Sequence, residues 1–424
     1  MVVLHKVQPD DTINSIAEQY NIPIQRLLQE NGLSSNSELS VGEIIAITYP
    51  TKTHIVKEGE TLSDIALANG VSIIELLRNN PFLSDRVDLI IGEELIISYD
   101  KKNKKIRVNG MTFSFINKQV LKMTLPYLTY ITVMGYKVDD NGKLTDVDDT
   151  DIIQMSINYD VVPLMLVSTL DETGQGSFEV SHSLFNNPAL QKTLVDNIIV
   201  TLDMKGYYGA VFGFQFVLRE DQQNYMDFIE YATSRLHEAG YLSWEVLTPT
   251  VFGYIQEATN FTEINQAVDG LILLSYQWST NYIPNAYQTT YNYMKDYLDT
   301  VLTMVSPEKI YLGLTRIAYD WELPYIEGES FAASLTDPRA LRLASQNGSE
   351  IYFDEVTKMS YFMYNDDGSE HMVWFSDIRN TNAILDLVND YGLGGISIWT
   401  IMNFSPIWIT INSQYDIEKL LPAE

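Results

Sequence analysis

Apolar and polar positions repeat in the first hundred residues of this chain. His5-Lys6-Val7 returns as His54-Ile55-Val56, Thr12 as Thr61, Ile16-Ala17 as Ile65-Ala66 and Leu27-Leu28 as Leu76-Leu77, at an offset of 49 residues. Each copy reads as a short strand, a helix opened by Asp11-Thr12 or Glu60-Thr61, a second helix, and a closing strand at 44–47 or 95–97. Two small βααβ units, over 2–49 and 52–99, are expected. A charged linker without apolar pattern follows at 100–106. Beyond it, apolar runs at 107–113, 130–136, 163–169, 209–216, 241–248, 270–278, 309–315 and 394–401 alternate with helical segments. That alternation predicts an α/β fold, a (β/α)8 TIM barrel spanning 106–424. Apolar runs at 351–353, 359–364 and 371–375, with the turn Asn365-Asp366-Asp367-Gly368, predict a small β-rich insertion between the seventh and eighth strands.

At 424 residues the chain has room for a barrel of roughly 250 residues plus appended modules. Its 46% hydrophobic and 12% aromatic content suits a packed core rather than a disordered chain. The net charge of −29, from 56 acidic and 27 basic residues, repels phosphate backbones and anionic lipid, so neither nucleic acid nor a membrane is an expected partner. No cysteine is present, which removes disulfides and thiolate metal sites. No run approaches the ~18 apolar residues of a membrane helix. The start, Met1-Val2-Val3-Leu4-His5-Lys6, lacks the basic and apolar regions of a secretory leader, so no signal peptide is expected.

The repeat resembles LysM on Asp10-Asp11-Thr12-Ile13, Asn31 and Val41-Gly42-Glu43, and again on Gly59-Glu60-Thr61-Leu62, Asn80 and Ile91-Gly92-Glu93. The resemblance implies a shallow groove for N-acetylglucosamine polymers, formed by the turn before the first helix and the loop after the second. It places that groove on Asp11, Thr12, Ile13, Gly32 and Leu33 in one copy, and on Gly59, Glu60, Thr61, Leu62, Pro81 and Phe82 in the other. Thr12 and Thr61 are also expected to cap their helices, and Leu62 to pack in the core.

Functional side chains of a barrel sit at the C-terminal ends of its strands. Residues 206–216 read Gly-Tyr-Tyr-Gly-Ala-Val-Phe-Gly-Phe-Gln-Phe. With Thr124-Leu125-Pro126-Tyr127, Pro163-Leu164-Met165, Tyr319-Asp320-Trp321, Val373-Trp374-Phe375 and Gly395-Ile396-Ser397, this segment resembles glycoside hydrolase family 18, most closely spore-cortex N-acetylglucosaminidases with two LysM modules. The family motif Asp-Gly-x-Asn/Asp-x-Asp-x-Glu falls here on Tyr208, Val211, Gly213 and Gln215 at its polar positions, and none is a carboxylate. In the family the Glu protonates the leaving oxygen, while the substrate's own acetamido group attacks and the neighbouring Asp steadies it. A carboxamide does not titrate near neutral pH, so Gln215 can hydrogen-bond that oxygen but cannot act as general acid.

The sixth strand repeats the change, since the family's Met-x-Tyr-Asp/Glu segment reads Leu274-Ser275-Tyr276-Gln277-Trp278. Loss of general acid catalysis alone removes roughly 10²–10⁴-fold in rate. The expected protein is a silent member that binds N-acetylglucosamine-containing glycan, such as peptidoglycan or chitin, without a cofactor. The resemblance assigns a barrel cleft to Tyr136, Gln215, Tyr276, Gln277, Trp278, Asp320 and Trp399, where aromatic faces stack on sugars and amides meet hydroxyls. The five histidines, His5, His54, His182, His237 and His371, show no metal-ligand spacing, so no metal is expected. Two alternatives stand beside this reading. One is a glycosidase whose acid comes from Glu257, Asp320 or Glu322. The other is a structural protein that assembles with itself or with spore-coat proteins. The implied setting is the bacterial spore envelope or cell wall, and otherwise the cytoplasm.

Overall fold

A computed structural model describes all residues except 1, 87, 102–103, 171–175, 215–216, 248–266, 275–290, 327–328 and 422–424. In the first repeat, β1 (Val2–Lys6) leads to α1 (Ile13–Tyr20), α2 (Ile24–Asn31) and β2 (Ile44–Thr48), and β2 pairs antiparallel with β1. In the second, β3 (Lys52–Ile55), α3 (Leu62–Asn69), α4 (Ile73–Asn79) and β4 (Glu94–Ser98) repeat the arrangement. Thr12 and Thr61 cap α1 and α3 with capping boxes closed by Ser15 and Asp64. One asparagine ties each module together. The Asn31 amide donates to the carbonyls of Leu27 and Ala46, each at 2.9 Å, and accepts from the Ala46 N–H at 2.7 Å. Asn80 does the same with Leu76 and Ile96. A helix end is thereby stitched to the closing strand.

The barrel strands β5 (Lys105–Phe113), β6 (Tyr130–Lys137), β7 (Val162–Ser168), β8 (Gly209–Phe212), β9 (Leu242–Leu247), β10 (Gly270–Leu273) and β11 (Ile310–Thr315) are each parallel to the next. Five strands then leave the barrel as an antiparallel sheet: β12 (Ile317–Leu323), β13 (Ala333–Thr336), β14 (Tyr352–Asp354), β15 (Met359–Asp366) and β16 (Ser369–Phe375), in the order β13-β12-β16-β15-β14. The chain returns through β17 (Gly395–Trp399), which pairs with both β11 and β5 and closes the barrel. Alternation along the strands separates an inner cluster, including Met111, Leu166, Val211, Trp244 and Tyr311, from an outer layer covered by helices.

The insertion is larger than the sequence pattern predicts. It begins at Ile317, directly after β11, and includes β12, β13 and the helix Asp337–Gln346. Its two faces differ: Ala318, Phe362, Val373 and Phe375 pack with that helix, whereas Tyr319, Trp321, Tyr361 and Trp374 form an aromatic cluster on the other side. No described helix is long and apolar enough to cross a membrane.

Both modules dock on the barrel. In module 2 the buried Arg78 donates to the Ile417 carbonyl at 3.1 Å, Tyr127 Oη donates to the Arg78 carbonyl at 2.5 Å, and Asn412 donates to Asn79 at 2.7 Å. Module 1 reaches the insertion instead, through the Ile351 N–H, which donates to the Val41 carbonyl at 2.8 Å. Glu30 joins the modules to each other, accepting from Thr48 Oγ1 at 2.7 Å and Tyr99 Oη at 3.4 Å.

Candidate functional site

The inward residues at the strand ends define what a ligand in the barrel mouth would meet. Phe113, Met134, Leu166, Leu274 and Trp399 belong to one inner cluster, and Gly213 stands beside Leu166 just past the end of β8. None of these six carries a charge. The nearest atoms to a Cβ built on Gly213 belong to the Leu166 side chain, at 3.5 Å, an ordinary contact, and its φ lies outside the left-handed region. The backbone therefore does not demand glycine there. The Leu166 side chain gives that position an apolar neighbour. Deeper in the barrel the polar groups satisfy each other: Asn109 accepts from Thr132 Oγ1 at 2.9 Å and donates to Ser397 Oγ at 2.9 Å.

An aromatic strip leads out of this mouth. The half-buried Trp399 meets Phe113 edge-on at 6.2 Å between centroids, and Phe113 stacks on Phe115 at 5.3 Å with 10° between planes. Phe115 is 66% exposed, so a flat apolar face reaches from solvent to the indole. Such faces suit the C–H faces of pyranose rings. Neither phenylalanine is among the expected site residues, although Phe113-Ser114-Phe115 at a strand end, with period two, is the signal that could have shown them.

The model for glycosyl hydrolases family 18 matches residues 110–403, and that for the LysM domain matches 5–48 and 54–98. The chain belongs to glycosyl hydrolase family 18. It is 27% identical over 325 residues to the cortical fragment-lytic enzyme of Bacillus subtilis (strain 168), covering 75% of each chain. It is 25% identical over 434 residues to the enzyme of the same name from Bacillus anthracis, covering 99% of this chain and 100% of that one. The crystal structure of the Bacillus megaterium QM B1551 spore cortex-lytic enzyme SleL superposes with a TM-score of 0.78 at 25% identity, across 99% of both chains.

Among the family 18 motif positions, Val211 is buried inside the barrel and Tyr208, before β8, is 41% exposed. Gln215, Tyr276, Gln277 and Trp278 lie outside the described residues, as does Glu257. Tyr136 is not in the cleft. A bulge between Val133 and Tyr136, at Gly135 with φ +119°, turns its ring into the outer layer. There Tyr136 and Tyr207 both donate to the buried Asp149, which Lys205 Nζ approaches at 3.0 Å, and burial pushes both phenols upward. Asp320 is bonded within the insertion. It alternates with Tyr319 and Trp321 on β12 and so lies on the opposite face, where it accepts from Tyr364 Oη at 2.6 Å and meets His371 Nδ1 at 3.0 Å. Glu322 accepts from Ser369 at 2.7 Å. Glu245 is fully buried, which pushes its carboxyl well up, but it faces the helix Gln222–Glu238, where Tyr225 Oη donates to it.

One cluster joins residues far apart in sequence. His182 Nδ1 lies 2.8 Å from Asp221, and ligand atoms of His182, Glu220 and Asp221 fall within 4.8 Å of one another. Asn186 donates to the same Asp221 at 2.6 Å, so its carboxylate is already partnered.

The LysM residues divide by role. Asp11 accepts from the Gln8 N–H at 2.7 Å and meets His5 Nε2 at 2.9 Å; Glu60 repeats this with Lys57 and His54, each at 2.8 Å. These acids hold the turn, and those bonds keep each below the usual carboxylate range. Ile13 is buried in the core of module 1 rather than lining a groove. Pro81 is buried too, because the turn Pro81–Asp85 packs on the barrel helix Lys118–Thr124. Thr12, Gly32, Gly59 and Thr61 are exposed, while Leu33, Leu62 and Phe82 are half-buried, with Arg86 5.0 Å over the Phe82 ring.

Proposed function

We propose that this chain is a non-hydrolytic member of family 18 that holds N-acetylglucosamine-containing glycan, foremost peptidoglycan of the bacterial spore envelope. The observation that carries the reading is Gly213 beside Leu166, where the family motif calls for an acid, among described strand-end side chains (Phe113, Met134, Leu166, Leu274 and Trp399) that are uncharged. The LysM modules supply binding, and the strip Phe115-Phe113-Trp399 offers the barrel's own sugar face. Several weak sites on one chain gain avidity on a repeating polymer. The relatives from Bacillus, named for lysis of spore cortex, support the glycan and the setting.

Those same names favour a second reading, hydrolysis with an acid other than the motif Glu. Asp320 and Glu322, the described candidates for it, are bonded to Tyr364 and Ser369 in the insertion. Purified full-length protein is expected to sediment with spore peptidoglycan while releasing no reducing ends. Gln215→Glu is expected to leave that unchanged. Release at a rate comparable to a cortical fragment-lytic enzyme, by either protein, would overturn the non-hydrolytic reading.

A further inference from the structure

Each module presents the loop after its second helix to the barrel, and the two outcomes differ. In module 2 the start of that loop packs on the helix Lys118–Thr124. In module 1 the loop from Gly32 to Glu38 faces the insertion across a cavity of about 550 Å³. This falls within the roughly 300–1,000 Å³ of small-molecule sites. Its far wall is the helix Asp337–Gln346, with Ser376, Asp377 and the segment 404–407.

The polar groups at this cavity are incompletely paired. Asp337 receives Arg316 Nε on Oδ2 at 3.1 Å, but its Oδ1 is buried with no hydrogen-bond partner. Across from it Glu43, 6% exposed, accepts the Ser40 N–H at 3.0 Å, and among the described residues no cation comes within ion-pair distance of it. The equivalent acid of module 2, Glu93, has Arg86 at 2.7 Å; the corresponding stretch of module 1 holds Asn36 and Ser37. Burial pushes Glu43 up to about 7 and Asp337 up to about 6, as expected of carboxyls short of donors. Leu33, Leu341 and Phe404 give the same cavity apolar surface. A ligand that suits these walls brings a hydroxyl or amide donor to Glu43 and an acceptor to Arg342 around an apolar ring face, which is the chemistry of a hexosamine.

We propose that the cavity between module 1 and the insertion is a sugar site shared by both, taking N-acetylhexosamine of the polymer that the modules hold. This rests on the glycan reading above. Through it, the loop of module 1 and the helix Asp337–Gln346 grip one ligand, so that glycan binding tightens docking of the module on the barrel. The probe is the N-acetylglucosamine tetramer, titrated into full-length protein by calorimetry and followed by hydrogen exchange. In the wild type, protection is expected at 32–38 and 337–346 together. Ser37→Trp and Ser345→Trp fill the cavity from opposite walls, and each is expected to weaken that binding at least tenfold in protein that still melts cooperatively, although each also gives up a serine hydrogen bond. If the tetramer binds nowhere on the wild type, the glycan reading itself falls. If it binds without protecting either segment, or if both filled variants bind with unaltered affinity and stoichiometry, the shared site alone is overturned.

Discussion

Glu30 and Glu43 show how a single side chain sets the pH behaviour of this molecule. Burial is the largest influence on each and pushes each up to about 7, against weaker opposition from their hydrogen bonds. An acid whose folded value is raised binds more protons folded than unfolded. Its stabilising contribution is therefore full below the ordinary glutamate range and is lost as pH rises through about 7. The melting temperature should fall between pH 4.5 and 7 for these groups. Glu30→Gln keeps an acceptor for Thr48 and Tyr99 but cannot ionise. Scanning calorimetry across that window should find a shallower fall for this variant and a higher melting temperature than wild type above pH 7. An identical slope would mean Glu30 is not buried as described. At this scale the sequence was legible where chemistry is carried by identity: Gly213 and Gln215 are not carboxylates whatever surrounds them. Leu166 as the neighbour of Gly213 was not legible, because the register between β7 and β8 is set by pairing across the intervening helices and is not written in either strand.

Elements differ in what their neighbours allow, and the two modules provide an internal comparison. Gly42 and Gly92 are equivalent and both left-handed, at φ +88° and +86°. A Cβ on Gly92 meets nothing within 4 Å, whereas one on Gly42 would stand 2.0 Å from the Ile351 carbonyl oxygen. Gly92→Ala should therefore cost only the left-handed strain, about 1 kcal/mol. Gly42→Ala should add separation of module 1 from the insertion, seen as faster hydrogen exchange at Ile351 and faster proteolysis near 49–52. Equal behaviour of the two variants would remove the docking contact from consideration. Strand positions followed from the apolar runs to within a residue or two for most of the barrel. Strand faces did not: the bulge at Gly135 reversed Tyr136, and alternation along β12 put Asp320 on the side away from the aromatic cluster. A period-two pattern says that faces alternate, but not which face is the cleft.

At the scale of the molecule, module 2 and the barrel share buried bonds. Arg78, 7% exposed, donates to the Ile417 carbonyl in the short strand Asp416–Ile417 that pairs with β5, and its own carbonyl accepts from Tyr127. Removing the guanidinium leaves the Ile417 carbonyl without that donor, so Arg78→Ala should cost about 1.5–3 kcal/mol. It should also uncouple the two units, so that a shared calorimetric transition splits or acquires a low-temperature shoulder. A symmetric peak at the wild-type temperature would argue that the contact contributes nothing to cooperativity.

The sequence by itself determined the two modules, the barrel, the family and the absence of the motif acids, because each is written in local periodicity or residue identity. Tertiary structure alone decided that Tyr136 turns into the outer layer, that Asp320 bonds to Tyr364 and His371 within the insertion, and that module 1 faces the insertion across a cavity. Those outcomes depend on which surfaces meet across hundreds of residues, and packing between distant segments leaves no mark in the pattern of either one.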